Sequence, residues 1–252
     1  MCTVSWFATH SGYELFFNRD ESRQRAIATA PIKRTSNACD FLSPVDEEAG
    51  GSWISTNQFG VTVCLLNLYL ESSVQPSHGT KHSIDYVSRG EIISNLADVS
   101  SLDEIYTRLD QAHLNQYRTF RVFAIDSSAL NILLIWDGIK LTVEYDVNAP
   151  KSSSSVETEK VVQTRKDLFR QNQLNSSDNR EAFFAYHKGH HPNKNYSVCV
   201  HREFTKTVSM SHIKVTEETV DFDYFDDSPC KCLTPLSSSL VRKMINFQSD
   251  VA

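Results

Sequence analysis

Cys2 is the residue that most directly suggests chemistry. Methionine aminopeptidase removes Met1 when the second side chain is small, and cysteine meets that condition. The product carries a free α-amine beside a thiol. An amine of that kind titrates at about 7.7–8.0 and a thiol at about 8.5, so either can take part in proton transfer at neutral pH. A terminal amine within reach of its own side-chain nucleophile can act as the base, the arrangement used by N-terminal nucleophiles. The same cysteine also fits as a small residue opening a half-buried strand. A second group of interest is Asn18-Arg19-Asp20-Glu21. A guanidinium brought close to Cys2 would depress the thiol pKa, and a carboxylate there would orient the α-amine or a substrate amide.

Whether these groups meet depends on the elements between them. Thr3–Ala8 and Tyr13–Phe17 are rich in β-formers and flank Thr9-His10-Ser11-Gly12, which predicts a hairpin. Its far end returns Arg19 and Asp20 to Cys2. Residues 22–49 read as irregular. Gly50-Gly51-Ser52-Trp53-Ile54 leads into a second hairpin turning at Asn57-Gln58-Phe59-Gly60, and Val61–Leu66 is apolar enough to be buried on both faces. A polar loop at 67–84 precedes helices expected at 84–97 and 101–113, the latter opened by the capping box Ser101-x-x-Glu104. Strands follow at 119–125, 130–136 and 141–145, with Asp137-Gly138 turning the last pair. After the serine run 152–155, helices are expected at 156–173 and 179–187 and strands at 196–202, 206–215 and 219–225. From Asp226 onward the expectation is a loop and a short helix. Hairpin-length connections imply mainly antiparallel sheets in an α+β protein, two sheets covered by two helical layers. Residues 1–225 read as a single domain and 226–252 as a C-terminal tail.

Three further groups could carry chemistry. Cys199 and His201 would share one face of a strand, either as a reactive pair or as a core thiol beside a substrate-facing imidazole. His187-Lys188-Gly189-His190-His191 resembles a metal cluster, but it ends a helix, where cations favoured by the dipole account for it. Cys230-Lys231-Cys232 has neither zinc-knuckle spacing nor a second pair. No metal site is expected.

Composition narrows the class. The chain has 252 residues with 25 basic and 31 acidic side chains, a formal net charge of −6. No basic surplus exists to neutralise phosphates, which argues against nucleic-acid binding. Eight glycines amount to about 3%, under half the average usage, and neither a dinucleotide nor a P-loop glycine motif occurs. No apolar run reaches membrane-spanning length. The N-terminus lacks the basic region of a secretory signal, so a cytoplasmic location and six reduced cysteines are expected.

The ordered set Met1-Cys2-Thr3, Phe17-Asn18-Arg19-Asp20-Glu21, Gly50-Gly51-Ser52-Trp53, Gly60-Val61 to Leu66-Asn67, Ser88-Arg89-Gly90-Glu91 and Cys199-Val200-His201-Arg202 resembles the NRDE family, whose eukaryotic members are called transport and Golgi organisation protein two. The serine run 152–155 and the Thr164-Arg165 to Phe169 segment resemble its bacterial branch. The family in turn resembles N-terminal nucleophile hydrolases of the bile-salt and penicillin V acylase type, implying a four-layer αββα sandwich. The resemblance implies Cys2, Arg19, Asp20 and Asn67 as catalytic residues, with Asn67 shaping an oxyanion hole. It implies Asn18, Glu21, Trp53, His201 and Arg202 around the substrate, Glu21 being an alternative to Asp20 as the site carboxylate. Arg202 is a candidate for the late arginine of the acylases. Two functions fit: hydrolysis of an N-acyl amide or acyl thioester without a required cofactor, or carriage of a hydrophobic metabolite such as haem, acyl-CoA or a lipid in the same pocket.

Overall fold

The computed structural model describes residues 1–70, 86–174 and 178–244. Two antiparallel sheets stack face to face. The first has six strands in the order β10-β1-β2-β11-β12-β13: β1 (Cys2–Thr9), β2 (Gly12–Ser22), β10 (Lys151–Ser152), β11 (Thr205–Val215), β12 (Thr219–Phe225) and β13 (Leu236–Val241). The second has seven in sequence order: β3 (Thr29–Ser36), β4 (Cys39–Val45), β5 (Ile54–Asn57), β6 (Thr62–Asn67), β7 (Phe120–Ile125), β8 (Asn131–Trp136) and β9 (Leu141–Tyr145). Helices α1 (Gly90–Asn95) and α2 (Leu102–Asp110) cover the second sheet, while α3 (Thr158–Gln171) and α4 (Arg180–Lys188) cover the first.

Strand alternation builds three apolar layers from this arrangement. Along β6, Cys64 and Leu66 enter the core between the sheets, whereas Val63 and Leu65 pack beneath α1 and α2. Strand β2 alternates in the same way. Tyr13, Leu15 and Phe17 face the second sheet, and Phe16 packs against Phe183 of α4. The four-layer αββα architecture follows directly from these doubly buried strands. Among the described residues no helix is long and apolar enough to cross a membrane.

The hairpins at 2–22 and 54–67 form as expected, and Ser101 caps α2 by accepting from the Glu104 backbone N–H. Four expectations need correction. Residues 22–49 contain β3 and β4, joined at Asn37-Ala38 with both φ angles positive. β3 is a largely exposed edge strand, so it lacks the apolar alternation that reveals half-buried strands. The helix expected at 84–97 is confined to Gly90–Asn95, and positions 84–85 and most of the 67–84 loop lie outside the described residues. Residues 196–202 form no strand; one bridge pairs His201 with Lys206. The Ser197 and Val198 carbonyls there accept from Arg165 and Asn18 side chains instead of a neighbouring strand. Within 226–252, residues 236–241 form β13 and extend the first sheet beyond β12, where a loop and short helix were expected.

Candidate active site

The register of the first hairpin sets Cys2 directly opposite Arg19. Gly12 allows that hairpin to pack, because a Cβ there would lie 2.4 Å from the Val215 carbonyl oxygen. Burial pushes the Cys2 thiol pKa up; the terminal ammonium and Arg19 pull it down, while Asp20 adds to the rise. The Cys2 backbone N–H donates to Ser153 Oγ at 3.0 Å, and the Ser153 N–H donates to the Cys2 carbonyl at 2.9 Å. The serine run therefore borders the start of β1 at Cys2. Met1 lies folded over this end. Its ammonium donates to the Asp20 carbonyl at 2.9 Å, and its sulfur accepts from Arg202 Nη1 at 3.3 Å.

Arg19 points into a cavity of about 320 Å³ that also reaches Cys2, Trp53, Asn67 and Arg89. Its guanidinium stacks on the Trp53 ring at 3.8 Å and pairs with Asp46. Asp46 also receives Arg25 at 2.8 and 3.0 Å. Against the opposing effect of burial, Arg25 and Arg19 hold Asp46 below the usual carboxylate range. Asn67 ends β6 at the cavity wall, its Nδ2 donating to Tyr69 at 3.1 Å. The Gly50-Gly51 and Ser88–Glu91 motifs cross here. A Cβ on Gly51 would lie 2.4 Å from the Gly90 carbonyl carbon, and the Ser52 N–H donates to the Gly90 carbonyl at 3.0 Å. Only backbone without a side chain can approach so closely. Arg89 and Arg118 complete a cationic rim, and neither has a carboxylate ion-pair partner among the described residues.

Asp20 contributes backbone to this edge, but its carboxylate turns to the other face of β2. There Oδ1 accepts from Thr207 at 2.6 Å, while Oδ2 has no hydrogen-bond partner and lies 3.7 Å from Arg165 Nη2. Burial raises the Asp20 pKa, countered in part by Arg165 and the terminal ammonium. Arg165, itself fully buried, donates to Ser197 O at 2.7 Å and Thr3 Oγ1 at 2.6 Å.

The structure thus brings Cys2, Arg19, Trp53 and Asn67 around one cavity, with Glu21 on its lining and the Glu21 carboxylate accepting from the Ser22 N–H. Asn18 is not there. Its amide donates to the His187 and Val198 carbonyls beneath α4, because position 18 has the opposite strand parity to Arg19. His201 is also elsewhere, 3.4 Å from Cys199 Sγ and 3.2 Å from Cys230 Sγ. Arg202 reaches the site only through Met1. Sequence reading assigned no role to Ser153, Asp46, Arg165 or Thr207. For Arg165 a signal exists: it shares a helical face with Val161 and Phe169, four residues away on either side, all three buried.

The fold is a four-layer αββα sandwich of the N-terminal nucleophile hydrolase type, with a cysteine at the start of its first strand. The chain belongs to the Transport and Golgi organisation 2 family, whose sequence model matches residues 1–223. Among solved structures, the chain is similar to an N-acylethanolamine-hydrolyzing acid amidase orthologue from Caenorhabditis elegans, with TM-score 0.61, 8% identity, and coverage of 84% of this chain and 92% of that one. It is similar to a penicillin V acylase from Agrobacterium tumefaciens at TM-score 0.56 and 10% identity, covering 96% and 86%. A conjugated bile acid hydrolase from Clostridium perfringens gives TM-score 0.53 and 15% identity, covering 96% and 92%. At these identities the likeness establishes the fold. No curated protein matches the sequence at a significant level.

Proposed function

We propose that the protein is an N-terminal cysteine amidohydrolase acting on an acyl amide, with an acyl thioester as the related substrate offering the same carbonyl. The observation that carries this reading is the pairing of Cys2 with Arg19 at a cavity that Asn67 also lines. Removal of Met1 would free the Cys2 α-amine beside Ser153. The thiolate then attacks the carbonyl carbon. Asn67 and a backbone N–H hold the oxyanion, and the α-amine passes the thiol proton to the leaving amine. Water hydrolyses the acyl-cysteine and regenerates the thiol. Arg89 and Arg118, which lack carboxylate ion-pair partners among the described residues, favour substrates with an anionic group beyond the scissile bond. The named activities of the acylase and amidase neighbours support the same reaction type.

The test is intact mass of the natively expressed chain together with turnover of N-acyl amino acids and acyl-CoAs. The expected result is loss of Met1 and measurable hydrolysis, with Cys2→Ala lowering kcat by on the order of 10⁶-fold. Retained Met1 with turnover indifferent to Cys2→Ala overturns the reading. The alternative reading is a carrier that holds a hydrophobic metabolite in the same cavity. Stoichiometric binding of acyl-CoA or haem by a Met1-retaining, non-hydrolysing chain would support that role. No histidine lines the cavity among the described residues, so a haem there would rest its carboxylates on the arginines.

A further inference from the structure

We propose that His190, Cys199, His201 and Cys230 form a tetrahedral zinc site separate from the Cys2 cavity. Their ligand atoms all lie within 4.8 Å of one another. His201 Nε2 sits 3.4 Å from Cys199 Sγ and 3.2 Å from Cys230 Sγ. Zinc–sulfur bonds of about 2.3 Å and zinc–nitrogen bonds of about 2.0–2.1 Å meeting at tetrahedral angles put sulfur and nitrogen about 3.5 Å apart. The observed edges are within a few tenths of an ångström of that value. Two thiols and two imidazoles are also the donor set that selects zinc over the oxygen-seeking cations.

The four ligands come from three segments already braced against each other. His190 follows α4, and the preceding Gly189 carbonyl accepts from the Cys199 N–H at 3.0 Å. His201 is fixed by its bridge to Lys206. Cys230 rides on a turn whose Ser228 hydroxyl donates to the Thr207 carbonyl at 2.6 Å. Such bracing orients ligands before a metal arrives. Binding would release the two thiol protons to solvent and leave a centre of zero net charge.

The site has a consequence for the layer beside the nucleophile. The segment between Ser197 and Arg202 supplies the carbonyls that hold Arg165 and Asn18, and it presents Arg202 to Met1. A metal gripping Cys199 and His201 would clamp that segment.

The experiment uses the full chain purified under reducing conditions, with zinc measured by elemental mass spectrometry after dialysis. The expected result is one zinc per chain, and a cobalt-substituted chain with thiolate-to-metal charge-transfer absorption. His190→Ala, at an exposed position whose loss leaves the fold intact, and Cys230→Ser should each weaken zinc binding by more than the ~10–100-fold typical of losing an outer-shell partner. Cys232→Ser should retain full stoichiometry. The proposal is overturned if the reduced wild-type chain takes up no zinc at micromolar concentrations, or if Cys232→Ser loses as much metal as Cys230→Ser. It is also overturned if rapid alkylation at lysis traps a Cys199–Cys230 disulfide. None of these outcomes depends on Cys2 being catalytic.

Discussion

The two faces of β2 differ in what they ask of their residues. Tyr13, Leu15, Phe17 and Arg19 look toward the second sheet, and this side ends in the cavity, where Arg19 lies against Trp53 and Asp46. Glu14, Phe16, Asn18 and Asp20 look toward α3 and α4 and are themselves buried, although Arg180, which pairs with Glu14, is exposed. There Asn18 holds the His187 ring and carbonyl, and burial together with Arg165 and His212 lowers His187 to about 3, keeping it neutral. One strand therefore lines a cavity on one face and carries a largely buried polar scaffold on the other. Burying a charge without a partner is expensive, so the scaffold face should govern stability and the cavity face activity.

The comparison can be broken most severely at Arg165. Arg165→Leu strands the Asp20 carboxylate and the Ser197 carbonyl, and should cost about 3–5 kcal/mol of unfolding free energy. Urea denaturation measures it, and a cost below that of an ordinary surface change would mean the polar layer is not the scaffold. Asn67→Ala tests the other face. Its side chain is only partly buried, so stability should hold while kcat falls about 10²–10³-fold, or about 2.7–4 kcal/mol of transition-state stabilisation. Equal losses in stability would erase the distinction.

The smallest effect lies at the far end of the scaffold face, where Glu14 bonds Arg180 and, at 2.8 Å, His212. Against the opposing effect of burial, hydrogen bonds from His212 and Arg180 hold Glu14 at about 2, below its ordinary 4.5. Its contribution is present above pH 4.5 and is lost as pH falls toward 2. His212 moves the other way: burial opposes, but Asp223 and Glu14 raise it above 6.5. Its contribution is complete below 6.5 and is lost as pH rises through the raised value. The cluster should therefore stabilise most between pH 4.5 and 6.5. Glu14→Gln should flatten the acid limb of the stability–pH profile by on the order of 2 kcal/mol. An unchanged limb would show that the pair carries no such linkage.

What could be read from the chain alone was whatever local spacing encodes. The turn between β1 and β2 fixes strand parity, and parity sets Cys2 against Arg19. The unbroken apolar run of β6 announces burial on both faces, and with it the layered sandwich. Ser101 caps α2 within its own turn. The polar edge strands β3 and β13 escaped notice because an exposed edge needs no apolar alternation. Asn18 was misplaced because a motif read as a string hides the fact that adjacent strand residues point in opposite directions.

The tertiary structure alone decided the partners of the buried charges and thiols. Asp46 reaches Arg19, Arg165 reaches Asp20, and Ser153 reaches Cys2 across long stretches of sequence. Cys199 and His201 share a strand period, but neither His190 nor Cys230 stands in any period with them, so no spacing rule unites the four. The reason is physical. Periodicity records which way a side chain faces along its own element, whereas an electrostatic or metal-binding partner is set by which elements pack together.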